Sequence, residues 1–200
     1  MGSITKALER DREDVKAKEA KFLEEVSKIA PENLVFIDEA GAHLGMTRTH
    51  ARSPIGERVV CKRSAARQSN ISMVGALTPQ GICELYPYDG SVDRERFCLF
   101  LDRLIPKLNR ENVVVMDNPR VHHTKEVKEK FDKAKIKILY LPPYSPERNP
   151  IEESWSKIKN ILRSAVANSI TDFVDAMVQA KNAITTQNAR AFFRHAGYAL

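Results

Sequence analysis

Three acids in this chain are spaced for work on a phosphodiester bond. Asp38 closes the apolar run LVFID, Asp117 closes NVVVMD, and Glu152 lies in LPPYSPERNPIEESW, with 34 residues between the second acid and the third. Carboxylates presented from two strand ends and a helix are hard oxygen ligands, the kind that Mg2+ takes, and leave positions for water and phosphate oxygens. Two ions roughly 4 Å apart in such a site would orient the attacking oxygen and neutralise the leaving one. Singly, each acid has a plainer explanation. A strand-end Asp is a common turn residue, and Glu152 in a first helical turn is favoured by the helix dipole.

The elements that must bring the three together can be read from apolar periodicity. Ile4, Leu8, Val15, Phe22, Val26 and Ile29 recur at helical spacing up to Pro31, which predicts one long amphipathic helix that packs on the domain or on a partner. Leu8, Val15, Phe22 and Ile29 are seven apart, yet the companion positions Asp11, Lys18 and Glu25 exclude a coiled-coil seam. Residues 34–38 read as a strand. Residues 70–77 and 82–88 read as a hairpin turning on Thr78-Pro79-Gln80-Gly81. Residues 94–108 are expected to be helical and 112–117 to be a strand buried on both faces. A lysine-rich helix over 124–133, a strand over 136–141, and helices from Pro150 onward complete the order. Three antiparallel strands followed by alternating helix and strand predict an α/β fold, a ribonuclease H-like mixed five-stranded sheet flanked by helices. In that fold the first and fourth strands are neighbours, which sets Asp38 beside Asp117 at the carboxyl ends where ligands bind.

Two hundred residues, 42% of them hydrophobic, suffice for one domain with a sizeable core. No run approaches the 18 apolar residues of a membrane span and the N-terminus has no apolar signal core, so no membrane partner and a cytosolic location are expected. Cys61, Cys83 and Cys98 are odd in number and widely spaced, which points to reduced, mostly buried thiols. The net charge of +6 is unevenly placed. Between His43 and Asn70, Arg48, Arg52, Arg58, Lys62, Arg63 and Arg67 face a single acid, Glu57. That cluster lies in a connection of some thirty residues, long enough to suggest a role, and is either a DNA-backbone contact or a solvated loop.

The segments FIDEAG, VVVMDNPRVHH and LPPYSPERNPIEESWSKIK resemble the three acid-bearing motifs of the mariner superfamily of DDE transposases, bacterial insertion-sequence branch, and the 34-residue gap matches as well. The tail RAFFRHAGY resembles the end of bacterial members. The resemblance implies that Asp38, Asp117 and Glu152 are the catalytic, metal-binding acids, with two Mg2+ ions or Mn2+ as substitute. It further implies cut-and-paste transfer of double-stranded transposon ends into target DNA, within a homodimer clamped in part by the basic connection. Glu153 competes with Glu152, because helical spacing places both off the stripe of Ile151, Trp155, Ile158 and Leu162; the family motif favours Glu152. Positions 152, 156, 159 and 163 share a face, so Lys159 and Arg163 are expected at the phosphates. One of His122 and His123 is read as a phosphate contact, here His122, and the other as core.

Departures are visible too. Asp117 is followed by Asn118-Pro119 where many members have Asn-Ala, and residues 1–33 offer room for a linker helix but not for the helix-turn-helix domains that precede the catalytic core in the family. The expected organisation is therefore a linker helix over 1–33, a catalytic domain over 34–165 and C-terminal helices over 166–200, with an upstream helix-turn-helix partner supplying recognition of the ends. The chain is expected to be either an excised catalytic domain or one product of a split frame. The alternatives are an inactive remnant that binds DNA or oligomerises and so inhibits a full-length transposase, and another nuclease on the same fold.

Overall fold

A computed structural model describes residues 12–47, 52–58, 69–117 and 124–200 of the chain. Five strands form one sheet: β1 (Leu34–His43), β2 (Asn70–Thr78), β3 (Gly81–Asp89), β4 (Val113–Met116) and β5 (Lys137–Tyr140). Their order is β3-β2-β1-β4-β5, with β1 antiparallel to β2 and parallel to β4. This is the ribonuclease H-like arrangement, with the first and fourth strands side by side. The described helices are α1 (Glu13–Val26), α2 (Arg94–Leu104), α3 (Lys125–Ala134), α4 (Pro150–Ala165), α5 (Ile170–Ala183) and α6 (Thr186–His195).

Strand alternation divides the core into two layers. Val35 and Ile37 of β1, Val74 and Ala76 of β2, and Val114 and Met116 of β4 pack against Phe97, Phe100, Leu101 and Leu104 of α2 and Val127 and Phe131 of α3. The alternate residues Leu34, Phe36, Met73, Leu77, Val113 and Val115 pack against Phe22 of α1, Trp155, Ile158 and Leu162 of α4, and the terminal helices. β4 is buried along its whole length, as its uninterrupted β-branched run requires.

Several boundaries differ from expectation for local reasons. α1 stops at Val26 rather than Ile29, because Pro31 disfavours helical geometry at Ala30 and the Ser27 hydroxyl donates to the Glu24 carbonyl; residues 1–11 lie outside the described part. It packs on the domain, with Glu19 bonded to Arg148 at 3.2 Å and Glu25 to Lys137 at 3.4 Å. α2 tightens into a 3₁₀ turn over Ile105–Lys107, since Pro106 has no amide to continue the ladder. The hairpin turn forms at the expected residues, with Gly81 at φ 135°. β1 runs five residues beyond Asp38, drawn on by pairing with β2 as far as His43 opposite Asn70. Asp38 is therefore a mid-strand residue, not a strand-end one.

Helix caps fix the remaining ends. Asp93 accepts from the Arg96 amide at the start of α2, and Ser169 with Asp172 and Thr185 with Asn188 form reciprocal capping boxes at α5 and α6. The tail returns to the core, where the Phe36 ring lies 5.3 Å from Phe193 and 5.0 Å from Tyr198. Cys83 and Cys98 are half-buried rather than fully buried, and burial raises both thiols, Cys83 to about 11. Both therefore stay protonated at neutral pH, in line with unreactive thiols; Cys61 lies outside the described residues. No described helix is long and apolar enough to cross a membrane.

Candidate active site

The sheet register brings the two aspartates together. Parallel pairing sets Phe36 opposite Val115 and Ile37 opposite Met116, so one further step sets Asp38 opposite Asp117. Both follow, at a spacing of two, residues that face α4, so both side chains project to that side of the sheet. β4 ends at Met116 while β1 continues, and the chain leaving β5 fills in above it, with the Leu141 amide donating to the Met116 carbonyl at 2.9 Å. The proline-rich segment then leads to a 3₁₀ turn over Pro146–Arg148 and to Asn149, the N-cap of α4, with Pro150 in the first turn. Tyr198 donates from its hydroxyl to the Arg148 carbonyl at 2.7 Å and so pins this turn to the C-terminal tail.

Glu152, in the first turn of α4, completes a cleft of about 450 Å3 whose lining includes Asp38, Asp117, Asn149 and the segment from Leu141 to Pro146. Asp38 is only 8% exposed at its floor; Asp117 and Glu152 are exposed at its rim. Burial above all, then the Glu152 charge, raises Asp38 to about 7, against hydrogen bonds that favour its ionised form. Glu152 is raised as well, by burial and by Asp117, with the Lys159 ammonium two turns along α4 opposing the shift. Asp38 is thus raised in part by the charge of Glu152, and Glu152 in part by that of Asp117.

Geometry separates the two adjacent glutamates. Glu152 lines the cleft, whereas Glu153 lies on the side of the helix toward α6, with an oxygen 3.8 Å from His195 Nε2. Glu39, next to Asp38, is exposed and belongs to the alternate strand parity. Lys159 and Arg163 are half-buried on the helix that carries Glu152. In the basic connection, Arg52 and Arg58 are exposed on an irregular segment that also carries a fully exposed Ile55. Arg48, Lys62, Arg63, Arg67, His122 and His123 lie outside the described residues.

Three residues in or behind the cleft escape a reading by periodicity. Trp155 belongs to the apolar stripe of α4, yet its indole N–H donates to Asp38 Oδ2 at 2.8 Å. The available signal is general: a buried tryptophan N–H needs an acceptor. Asn149 is buried at the cleft edge, and its Oδ1 has no hydrogen-bond partner among the described residues. Tyr144 is exposed on the lining with φ 59°, a left-handed conformation that a bulky residue seldom adopts.

The donors present suit a hard divalent cation. Three carboxylates and an unpartnered amide oxygen on one cleft form an all-oxygen set of the kind that selects Mg2+ or Mn2+ over softer metals. Among the described residues no group of three His, Cys, Asp or Glu side chains stands close enough to hold one ion as placed. The acids therefore share a cleft without converging.

Comparison with known proteins agrees with this architecture. A family profile described as DDE superfamily endonuclease matches residues 33–174, more than half of the chain. The catalytic domain of the Mos1 mariner transposase superposes with a TM-score of 0.70 at 14% identity, covering 98% of this chain and 91% of that one. The Mos1 mariner paired end complex with Mn gives 0.68 at 14% identity, and its counterpart with Mg gives 0.67 at 14%; each covers 98% of this chain and 63% of the other. The chain thus spans less than two thirds of the transposase in those complexes. No curated protein matches it in sequence.

Proposed function

Because the chain belongs to the DDE superfamily endonucleases, we propose that it is the catalytic part of a mariner-superfamily transposase of the bacterial insertion-sequence branch. It hydrolyses phosphodiester bonds at transposon ends and directs the freed 3′ hydroxyl onto target DNA. The observation that carries this reading is that Asp38 from β1, Asp117 after β4 and Glu152 from α4 line one cleft.

In this reading those three carboxylates would hold two Mg2+ ions, or Mn2+ as substitute. Bound ions supply an activated attacking oxygen and charge neutralisation at the leaving oxygen. The protein's own residues do the rest. Asp38 gives up its proton as cations bind, Lys159 and Arg163 draw the DNA backbone toward Glu152, and the rigid proline-rich segment sets the angle at which α4 enters. Residues 34–165 form the catalytic unit, 1–33 a linker helix, and 166–200 a buttress for α4. The partners are double-stranded DNA, as transposon ends and target, a second copy of the chain, and a helix-turn-helix domain for end recognition. The Mos1 paired end complexes with Mg and Mn support the cation and the paired arrangement.

The alternative is an inactive DNA-binding or oligomerising remnant that interferes with a full-length transposase. Nicking of supercoiled DNA separates the two. The transposase reading requires cleavage in Mg2+, its loss on chelation and its return with Mn2+; no cleavage under any of these conditions favours the remnant.

The basic connection has its own test. Replacing Arg58, Lys62 and Arg63 together with Ala is expected to weaken DNA binding and to reduce the slope of log affinity against log salt by about one per lost phosphate contact. Affinity measured across a salt series checks it, and an unchanged slope would mark the segment as a solvated loop.

A further inference from the structure

β2 places a glycine directly opposite Asp38, since the antiparallel register pairs Asp38 with Gly75. The backbone there does not demand one, because Gly75 is absent from the described glycines of positive φ. Space does. A Cβ on Gly75 would stand 2.7 Å from Trp155 Cη2 and 3.3 Å from both Trp155 Cζ2 and Ile151 Cδ1. The far edge of the indole therefore rests on bare backbone, in a gap between Met73 and Leu77 on the sheet face toward α4. From that position its N–H reaches Asp38 Oδ2, a bond between residues 117 apart in the chain.

The choice of donor has chemical consequences. Indole donates one hydrogen bond, carries no charge and accepts none. It can hold a carboxylate oxygen without adding a positive charge that would compete with an arriving cation, as a lysine or arginine would. Partners of this kind fix a ligand's orientation and so raise its affinity for metal.

Resting on the metal-dependent reading above, we propose that Gly75 and Trp155 together form a seat that positions the Asp38 carboxylate for cation binding. The missing side chain at 75 admits the ring, and the ring holds one oxygen, so Asp38 meets the ion in a single rotamer. Neither residue touches substrate; both are positioning residues.

Trp155 is the chain's only tryptophan, which gives the seat its own optical signal. Mn2+, a paramagnetic quencher, is titrated into the full 200-residue chain, with calorimetry and tryptophan emission read in parallel. Expected for the wild type are binding, its loss in Asp38→Asn, and quenching of Trp155 emission that follows the calorimetric isotherm. Trp155→Phe keeps a ring without the N–H and should weaken Mn2+ binding by about tenfold, the lower end for loss of a ligand-orienting partner. Gly75→Ala keeps the tryptophan but displaces it, and should weaken binding as much and shift the emission maximum. In the double variant the glycine change should cost almost nothing more, because its effect runs through the indole. The proposal is overturned if either folded single variant, checked by circular dichroism, binds Mn2+ within twofold of wild type, or if the two losses simply add. It is also overturned, whether or not the variants fold, if wild-type Mn2+ binding leaves the emission unchanged. A wild type that binds no Mn2+ at all overturns the metal reading and this inference with it, whereas binding that ignores the variants overturns this inference alone.

Discussion

Asp38→Asn, Asp117→Asn and Glu152→Gln are each expected to lower Mg2+-dependent DNA cleavage by more than about a thousandfold, equivalent to ~4 kcal/mol of barrier. Each substitution removes one formal negative charge from the site proposed to balance divalent cations while leaving the side-chain shape intact. Glu153→Gln serves as the internal control. Its carboxylate lies toward His195 rather than in the cleft, so cleavage should stay within about twofold of wild type, a change of under ~0.5 kcal/mol in barrier. Conversion of supercoiled to nicked plasmid measures all four, with thermal melting as the check on folding. Full activity in any of the three acid variants would refute the assignment, and a loss at 153 with none at 152 would move the third ligand by one residue.

The same aspartate should make the fold less stable than it could be. Folded Asp38 holds its proton up to about 7, against an ordinary value of 3.8. A raised carboxylate contributes stability that is fully present below the ordinary value and is lost as pH rises through the raised one. By pH 8 the wild type buries a charged group at the floor of the cleft. Asp38→Asn carries no such charge, and its amide oxygen can still accept from Trp155. The variant should therefore be the more stable protein at pH 8, by on the order of 2 kcal/mol, below the ~4 that the full shift would set. At about 2–4 °C per kcal/mol for a chain of this size, melting would rise by several degrees, and the gap should close toward pH 4. Added Mn2+ should narrow it from the other side, raising the wild type and not the variant. Melting curves at pH 4, 6 and 8 decide it; equal curves at pH 8 would mean that Asp38 is not held against ionisation.

Much of this site could be read from the residues because separate signals agreed. The β-branched run ending in Asp117 specifies a central strand, the turn residues Pro79 and Gly81 specify the hairpin, and Pro150 specifies where α4 begins. Parity then follows, since acids at the ends of alternating runs inherit the face of the residues two before them. What stayed hidden depends on partners distant in sequence. Glu39-Ala40-Gly41 reads as the close of a strand, and only the match with Ser72, Met73 and Val74 carries β1 through it. Trp155 reads as core because periodicity gives a side chain's face and not the acceptor its N–H will find. Gly75 has no signal of its own. Its absent side chain has meaning only once an indole from α4 lies against it.

That long-range closure bears on when the site comes into being during synthesis. Asp38 is made first of the three acids, its strand neighbour Asp117 some eighty residues later, and the helix that holds both Glu152 and the indole later still. At about 5–20 residues per second, a ribosome carries the first acid for many seconds before α4 exists to dock over β2. A nascent or prematurely ended chain lacking α4 has two of the acids but neither the third nor the donor that holds the first. In the transposase reading, DNA cleavage is in this way withheld from incomplete copies of the chain, with the order of synthesis acting as the safeguard.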